Sequence, residues 1–172
     1  MPKKPTNIIL IGFMGVGKGT IARAFIKETG MFGLDTDDLI ESMENRKIKD
    51  IFEKEGEPYF RALELKTAKW LSKNVKNAVI STGGGFFKVK DLDKIGTVVY
   101  LKSSFEGILG RILEHPRAEQ KLAKRPLFQD KAKAKALFDE REPLYLKKAD
   151  IVLNVENKDV DTIVKNLIHK LS

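Results

Sequence analysis

An α/β fold on a parallel sheet is predicted by three features of the chain. Short apolar runs alternate with longer amphipathic stretches from one end to the other. Four of the five apolar runs lack the in–out alternation of a half-exposed strand, which is how strands covered on both faces read. A glycine-rich loop follows directly on the first run, where α/β sheets place their ligands, beyond the carboxyl ends of the strands.

The strands are expected at NIILI (Asn7–Ile11), MFGL (Met31–Leu34), AVIS (Ala78–Ser81), TVVYL (Thr97–Leu101) and IVLNV (Ile151–Val155). Helical patterns lie between them. From Glu57 on, Phe60, Leu63, Thr67, Trp70 and Leu71 fall on one stripe, and Val160, Ile163, Val164, Leu167, Ile168 and Leu171 give a clean i, i+3, i+4, i+7 face. Strand, helix, strand, repeated, means right-handed crossovers and a parallel sheet. The segment from Glu114 to Lys135, EHPRAEQKLAKRPLFQDKAKAK, breaks this rhythm: it is charged and holds two prolines. It reads either as a solvated connection or as a mobile lid carrying basic residues over a nucleotide.

With 172 residues and 42% hydrophobic content, one domain spanning 1–172 is the expectation, with a lid at about 114–131. The absence of cysteine excludes disulfides, thiolate zinc sites and cysteine nucleophiles, and fits a reducing cytoplasm. No apolar run approaches the roughly 18 residues that span a membrane. The N-terminal MPKKPTNIILIGF sets basic residues before an apolar run, but a signal peptide wants a longer apolar region and a small-residue cleavage site. A net charge of +8 would suit a nucleic-acid partner, yet the lysines are spread along the chain and interleaved with acids. That pattern fits a solvated surface with an anion-binding cleft better, so no nucleic acid is expected. No large exposed apolar helix is evident, so a monomer is expected. His115 and His169 read as surface residues.

In GFMGVGKGT, the spacing of Gly12, Gly17 and Lys18 matches G-x-x-x-x-G-K between a buried strand and a helix starting near Lys18. Backbone N–H groups of Gly15, Val16, Gly17, Lys18, Gly19 and Thr20 would cradle phosphate oxygens, with the helix N-terminus adding partial positive charge. Lys18 would reach the β- and γ-phosphates of ATP. The residue after the lysine normally offers a hydroxyl to Mg²⁺, and here it is Gly19. Thr20 lies about 100° further round the helix, so it need not point at the same place; it could hydrogen-bond an α-phosphate instead.

The second strand runs into Asp35-Thr36-Asp37-Asp38. One acid there would cap a helix, a role expected of Asp38. Another could hold Mg²⁺ directly or through water, and a third could orient an acceptor hydroxyl and take its proton. Alternation puts Asp35 and Asp37 on one side if the strand persists that far. The third strand ends in Ser81-Thr82-Gly83-Gly84-Gly85, with no acid for a metal, which argues against a regulatory GTPase or motor ATPase and for a small-molecule kinase. Three successive glycines permit very close approach of a ligand to the backbone.

Taken in order, GFMGVGKGT, LDTD (Leu34–Asp37), IFEKEGEPYFRALE (Ile51–Glu64), TGGG (Thr82–Gly85), RPL (Arg125–Leu127) and REPLY (Arg141–Tyr145) make the chain resemble the shikimate kinases, of the nucleoside-monophosphate-kinase-like P-loop group. The resemblance covers essentially the whole chain. It implies a three-layer P-loop kinase fold, with a five-stranded parallel sheet, helices on both faces and a mobile lid. It implies transfer of the γ-phosphoryl of ATP to the 3-hydroxyl of shikimate, on the route to aromatic amino acids. By this resemblance Lys18 binds the β/γ-phosphates, Asp37 binds shikimate hydroxyls and serves as base, and Asp35 holds Mg²⁺ through water. Arg61 and Arg141 grip the shikimate carboxylate, Gly83, Gly84 and Gly85 lie against the ring, and the lid's Arg125 meets the phosphates. Arg111 and Lys158 match the family's adenine-contact positions, and Gly19 stands at its metal-ligand position. Arginine's planar fork suits a carboxylate, and each arginine has a local rival role: Arg61 as an ion-pair partner of Glu57 or Glu64, Arg125 beside Lys121 and Lys124.

Two other functions stay open on the sequence. One is a kinase of another small polyol acid, gluconate-like, or of a nucleoside monophosphate, suggested by GKGT. The other is a nucleotide-dependent binding protein without catalysis, suggested by Gly19 and the basic charge.

Overall fold

The computed structural model describes residues 6–123 and 126–172. Five strands, β1 (Asn7–Ile11), β2 (Phe32–Asp35), β3 (Ala78–Ser81), β4 (Gly96–Lys102) and β5 (Ile151–Asn154), form one sheet in the order β2-β3-β1-β4-β5. Every pairing is parallel. All five residues of β1 are buried, so both faces of the central strand are covered. At the edge, β2 is exposed over its first half.

Among the described residues eight α-helices accompany the strands, seven between them and one after β5: α1 (Lys18–Thr29), α2 (Thr36–Glu44), α3 (Ile48–Glu55), α4 (Glu57–Asn74), α5 (Phe105–Leu113), α6 (Ala118–Ala123), α7 (Lys131–Lys148) and α8 (Val160–Leu171). The stripe read on α8 is the one it buries, centred on Ile163, Val164 and Leu167. On α4 the buried line is Phe60, Glu64, Thr67, Ala68 and Leu71. Trp70, expected on that line, is instead 49% exposed. The line runs one step round the helix from the apolar residues because a buried carboxylate, Glu64, sits in its middle.

Two apolar clusters result. The main core surrounds the sheet. A small separate one, Ile40, Ile51 and Phe60, joins α2, α3 and α4, with the rings of Phe52 and Phe60 4.7 Å apart. This second cluster fixes α4, and hence Arg61, relative to the end of β2.

Register places the chemistry. Asp35 pairs with Ser81, and Ser81 with Leu10, so the ends of β2, β3 and β1 lie level. The phosphate loop, the Asp35–Asp38 stretch and the glycine run therefore open onto one edge of the sheet. Five strand ends differ from expectation by a residue: β2 runs one residue later at both ends, β4 is one residue longer at both ends, and β5 stops at Asn154. The strand does not persist to Asp37, which lies in the first turn of α2. Nor is Asp38 the cap. Asp35 is, its Oδ1 accepting from the N–H groups of Asp37 (2.8 Å) and Asp38 (3.1 Å). A helix needs its acceptor one residue before its first turn, and the short β2 puts Asp35 there.

The segment after α5 holds the short helix α6 and a 3-10 turn, Pro126–Gln129. Its far end is anchored: Phe128 is buried, with its ring 6.2 Å from that of Phe13 and 6.4 Å from that of Phe105. Among the described residues, no helix is long and apolar enough to cross a membrane.

Candidate active site

The loop between β1 and α1 is shaped by backbone that side chains resist. Gly15 and Gly17 have φ of 88° and 105°, in the left-handed region. Phe13 pins the loop from below, its ring 5.3 Å from that of Phe138. Val16 is a second anchor, with its side chain buried and its N–H donating to the Phe13 carbonyl at 3.1 Å. Lys18 starts α1 and is buried, its ammonium donating to the carbonyls of Gly12 (2.5 Å) and Phe13 (3.2 Å). Gly15, Gly17, Lys18, Gly19 and Thr20 line a cavity of about 830 Å³ together with Asp35, Asp37, Gly83, Gly84 and Arg111. That size is in the range of small-molecule sites.

The glycine run at the end of β3 is where three functional side chains meet. A Cβ on Gly83 would lie 2.6 Å from Asp37 Oδ1. One on Gly84 would lie 3.3 Å from Arg141 Nη1, and one on Gly85 would collide with the guanidinium of Arg61. None of the three glycines has a positive φ, so they are there for space and not for conformation. The run is tied down from both sides: the Gly83 N–H donates to Thr36 Oγ1 (3.2 Å), and the Tyr145 hydroxyl donates to the Gly84 carbonyl (2.8 Å). Tyr145 is itself clamped between the rings of Tyr100 (5.1 Å) and Phe87 (4.5 Å).

Asp37 is held with Oδ1 out of water and without a hydrogen-bond partner. Burial raises its pKa to about 7, and the neighbouring carboxylates of Asp35 and Glu64 add to the rise against the opposing charge of Lys18. Arg61 is half-buried and makes both of the ion pairs open to it on α4. Nη1 meets Glu64 Oε1 at 2.5 Å, and Nη2 meets Glu57 Oε1 at 3.2 Å. Glu57 is exposed, so that contact is weak and can yield to a ligand carboxylate. Glu64 is buried, which raises its pKa, while the Arg61 hydrogen bond works the other way. Arg141 is buried on α7, 5.8 Å from the ring of Phe87.

Among the described residues, the buried side-chain atoms without a hydrogen-bond partner are Asp37 Oδ1, Glu64 Oε2 and Arg141 Nε. They come from three different helices and surround the glycine run. Native interiors leave few such atoms, so two acceptors and one donor gathered in one place suit a bound polar molecule. Tyr145 lies within a quoted motif without a role, and Glu64 is expected only as a rival ion-pair partner of Arg61, not as a buried part of the site. The signal for Tyr145 is its place one turn after Arg141 on the same helix, and for Glu64 its place three residues after Arg61.

Arg111 Nη1 donates to the Gly15 carbonyl at 3.1 Å, and a Cβ on Gly17 would lie 2.8 Å from its Nη2. Arg111 also borders a second, adjoining cavity of about 380 Å³, lined further by Ile108, Glu156, Asn157 and Lys158. Thus Arg111 and Lys158, distant in sequence, share one pocket beside the phosphate loop. Lys121 reaches the main cavity. Arg125, expected on the lid, and Lys124 lie outside the described residues.

A buried strand, a lysine-bearing glycine loop opening a helix, and a polar cavity beyond the strand ends define a P-loop kinase. Residues 14–172 match the family model for shikimate kinase. The chain is 47% identical over 148 residues to a shikimate kinase of Helicobacter hepaticus, covering 86% of each chain. It is 38% identical to one of Sulfurihydrogenibium sp., covering 96% of this chain and 97% of the relative. Among solved structures, shikimate kinase from Acinetobacter baumannii in complex with shikimate superimposes with a TM-score of 0.81 at 30% identity, over 98% of this chain and 93% of that one. A gluconokinase from Sinorhizobium meliloti shares the fold at a TM-score of 0.52 and 14% identity, over 97% and 91%. The chain belongs to the shikimate kinase family.

Proposed function

We propose that this chain transfers the γ-phosphoryl group of ATP to the 3-hydroxyl of shikimate, giving shikimate 3-phosphate and ADP on the way to chorismate. The observation that carries the substrate is the glycine run, against which one carboxylate and two guanidinium groups converge from three helices. Shikimate presents one carboxylate and three hydroxyls. Arg61 and Arg141 take the carboxylate, the bidentate pairing for which a guanidinium is built. Asp37 takes the hydroxyl that reacts. Its pKa of about 7 sets it near the operating pH, where a general base is most effective. In the transfer the acceptor oxygen bonds to phosphorus, the bond to the β,γ-bridging oxygen breaks, and the hydroxyl proton passes to Asp37. Lys18 leaves the Gly12 and Phe13 carbonyls for the β- and γ-phosphate oxygens and neutralises charge there. Arg111 and Lys158 border the place for adenine. The 114–131 segment closes over the nucleotide with Arg125 and excludes water that would hydrolyse ATP.

Kinases of this family imply Mg²⁺. Among the described residues no group of three or more His, Cys, Asp or Glu is arranged to hold a metal ion, and Gly19 offers no oxygen. That donor set still fits Mg²⁺, which keeps several waters and binds through one or two carboxylates plus substrate phosphates. Asp35 has Oδ1 engaged as the α2 cap and lines the cavity, so it would hold the ion through water, with Thr20 its neighbour on α1. When bound, such an ion would neutralise charge on the nucleotide's phosphates. The protein works as a cytoplasmic monomer on small molecules, without nucleic acid or membrane.

The test is ADP release, coupled to NADH oxidation, with and without shikimate in Mg²⁺-containing buffer. Turnover that depends on shikimate is expected, and Arg61→Ala should lose it through KM. Turnover with gluconate or a nucleoside monophosphate in place of shikimate would replace this reading by the other kinase.

A further inference from the structure

In the first turn of α1, the place where a side chain at position 19 would stand is bordered by Arg23. A Cβ on Gly19 would lie 3.3 Å from Arg23 Nη1, with the rest of the guanidinium at 4.0 Å. Arg23 is four residues on, so the two positions share a helix face, and helical side chains lean back toward the N-terminus. Its guanidinium therefore lies along the space that the missing side chain leaves. Arg23 lines the same cavity as Lys18, Thr20 and Asp35. Among the described residues no ion pair or hydrogen bond to its side chain is found; burial and the Asp35 charge raise the Asp38 carboxyl, and the Arg23 charge is among those that pull against that.

We propose that Arg23 is a direct ligand of the nucleotide phosphates, reaching them through the place that Gly19 leaves open, so that this chain holds its nucleotide with a fixed cation where a serine would hold it through a metal. This rests on the reading of the loop as an ATP site. A guanidinium carries five donors and no acceptor, so it cannot ligate Mg²⁺. It neutralises the same phosphate oxygens instead, with a planar fork that suits two of them at once. A Cβ at position 19 would press on the guanidinium, and a longer side chain there would compete with it for the same space.

The test is calorimetric titration of ADP into the full chain, once with excess Mg²⁺ and once in EDTA, with shikimate titration alongside. Wild type should bind ADP nearly as well in EDTA as in Mg²⁺. R23Q should lose about tenfold or more of the EDTA affinity, the loss expected for one charge-assisted hydrogen bond, and keep its shikimate affinity. G19S should show the same EDTA loss while keeping ADP affinity in Mg²⁺. R23Q binding ADP in EDTA as tightly as wild type overturns the proposal and leaves the ATP site standing. Wild type that binds no ADP in either buffer overturns both. Should R23Q lose shikimate as well, R23K decides: a weaker EDTA affinity with shikimate binding intact supports the fork, and an unchanged one overturns it.

Discussion

Asp37 is held in a state that costs the folded chain stability. Its carboxyl pKa rises from 3.8 to about 7, so the native state holds the proton more tightly than the unfolded chain does. Stability from this group is greatest when both states are protonated. It is lost as pH climbs from about 4 to about 7 and is level above, a total on the order of a few kcal/mol. Asp37→Asn removes that cost. The ligand-free variant should melt higher than wild type at pH 8, with a smaller gain at pH 5, while phosphoryl transfer falls by at least about a hundredfold as the general base is lost. Melting curves at the two pH values check the sign, and equal or lower melting of the variant at pH 8 would show that the burial is not penalised. The same titration predicts that kcat/KM for shikimate falls as pH drops below about 7.

The glycine run behaves as one element with three jobs, and each residue can be addressed separately. Its backbone is ordinary, so alanine is admissible conformationally and any effect comes from the side chain it meets. Gly85→Ala must displace the Arg61 guanidinium from its seat. It should raise the KM for shikimate by about tenfold or more, the usual loss for a charged hydrogen bond, and leave ADP affinity unchanged, which titration of each ligand reads directly. Loss of ADP affinity instead would place Arg61 in the nucleotide site. Much of this element was legible as TGGG at the end of β3, because a run of three glycines implies close approach. Which side chain approaches which glycine was not legible, since that depends on how α2, α4 and α7 pack around the loop. The cap on α2 was assigned to the wrong acid for a related reason. The three acids within Asp35–Asp38 differ only in where the strand stops, and a strand end is a property of the sheet. On α4, the apolar residues alone pointed to Trp70, and the buried charge of Glu64 hid the true line.

Across the whole molecule, the strand positions, the phosphate loop and the places of Arg61 and Arg141 beside the glycine run have strong local causes: an apolar run, a fixed glycine–lysine spacing, a motif. The arrangement that gives them one purpose is tertiary. Level strand ends bring the loop, Asp37 and the glycine run to one edge, and the small core of Ile40, Ile51 and Phe60 sets α4 beside it. Arg23 shows the limit from the other side, since nothing in its local sequence marks it, and only its contact with the bare Gly19 does. In the proposed reaction the γ-phosphoryl group leaves ATP for the shikimate hydroxyl beside Asp37 while Arg61 and Arg141 hold the carboxylate. Phosphorus–proton correlation NMR of the product from ATP and shikimate tests it most directly. A single phosphate ester coupled to the proton at C3 is the predicted result; free phosphate alone, or an ester at another carbon, would contradict it.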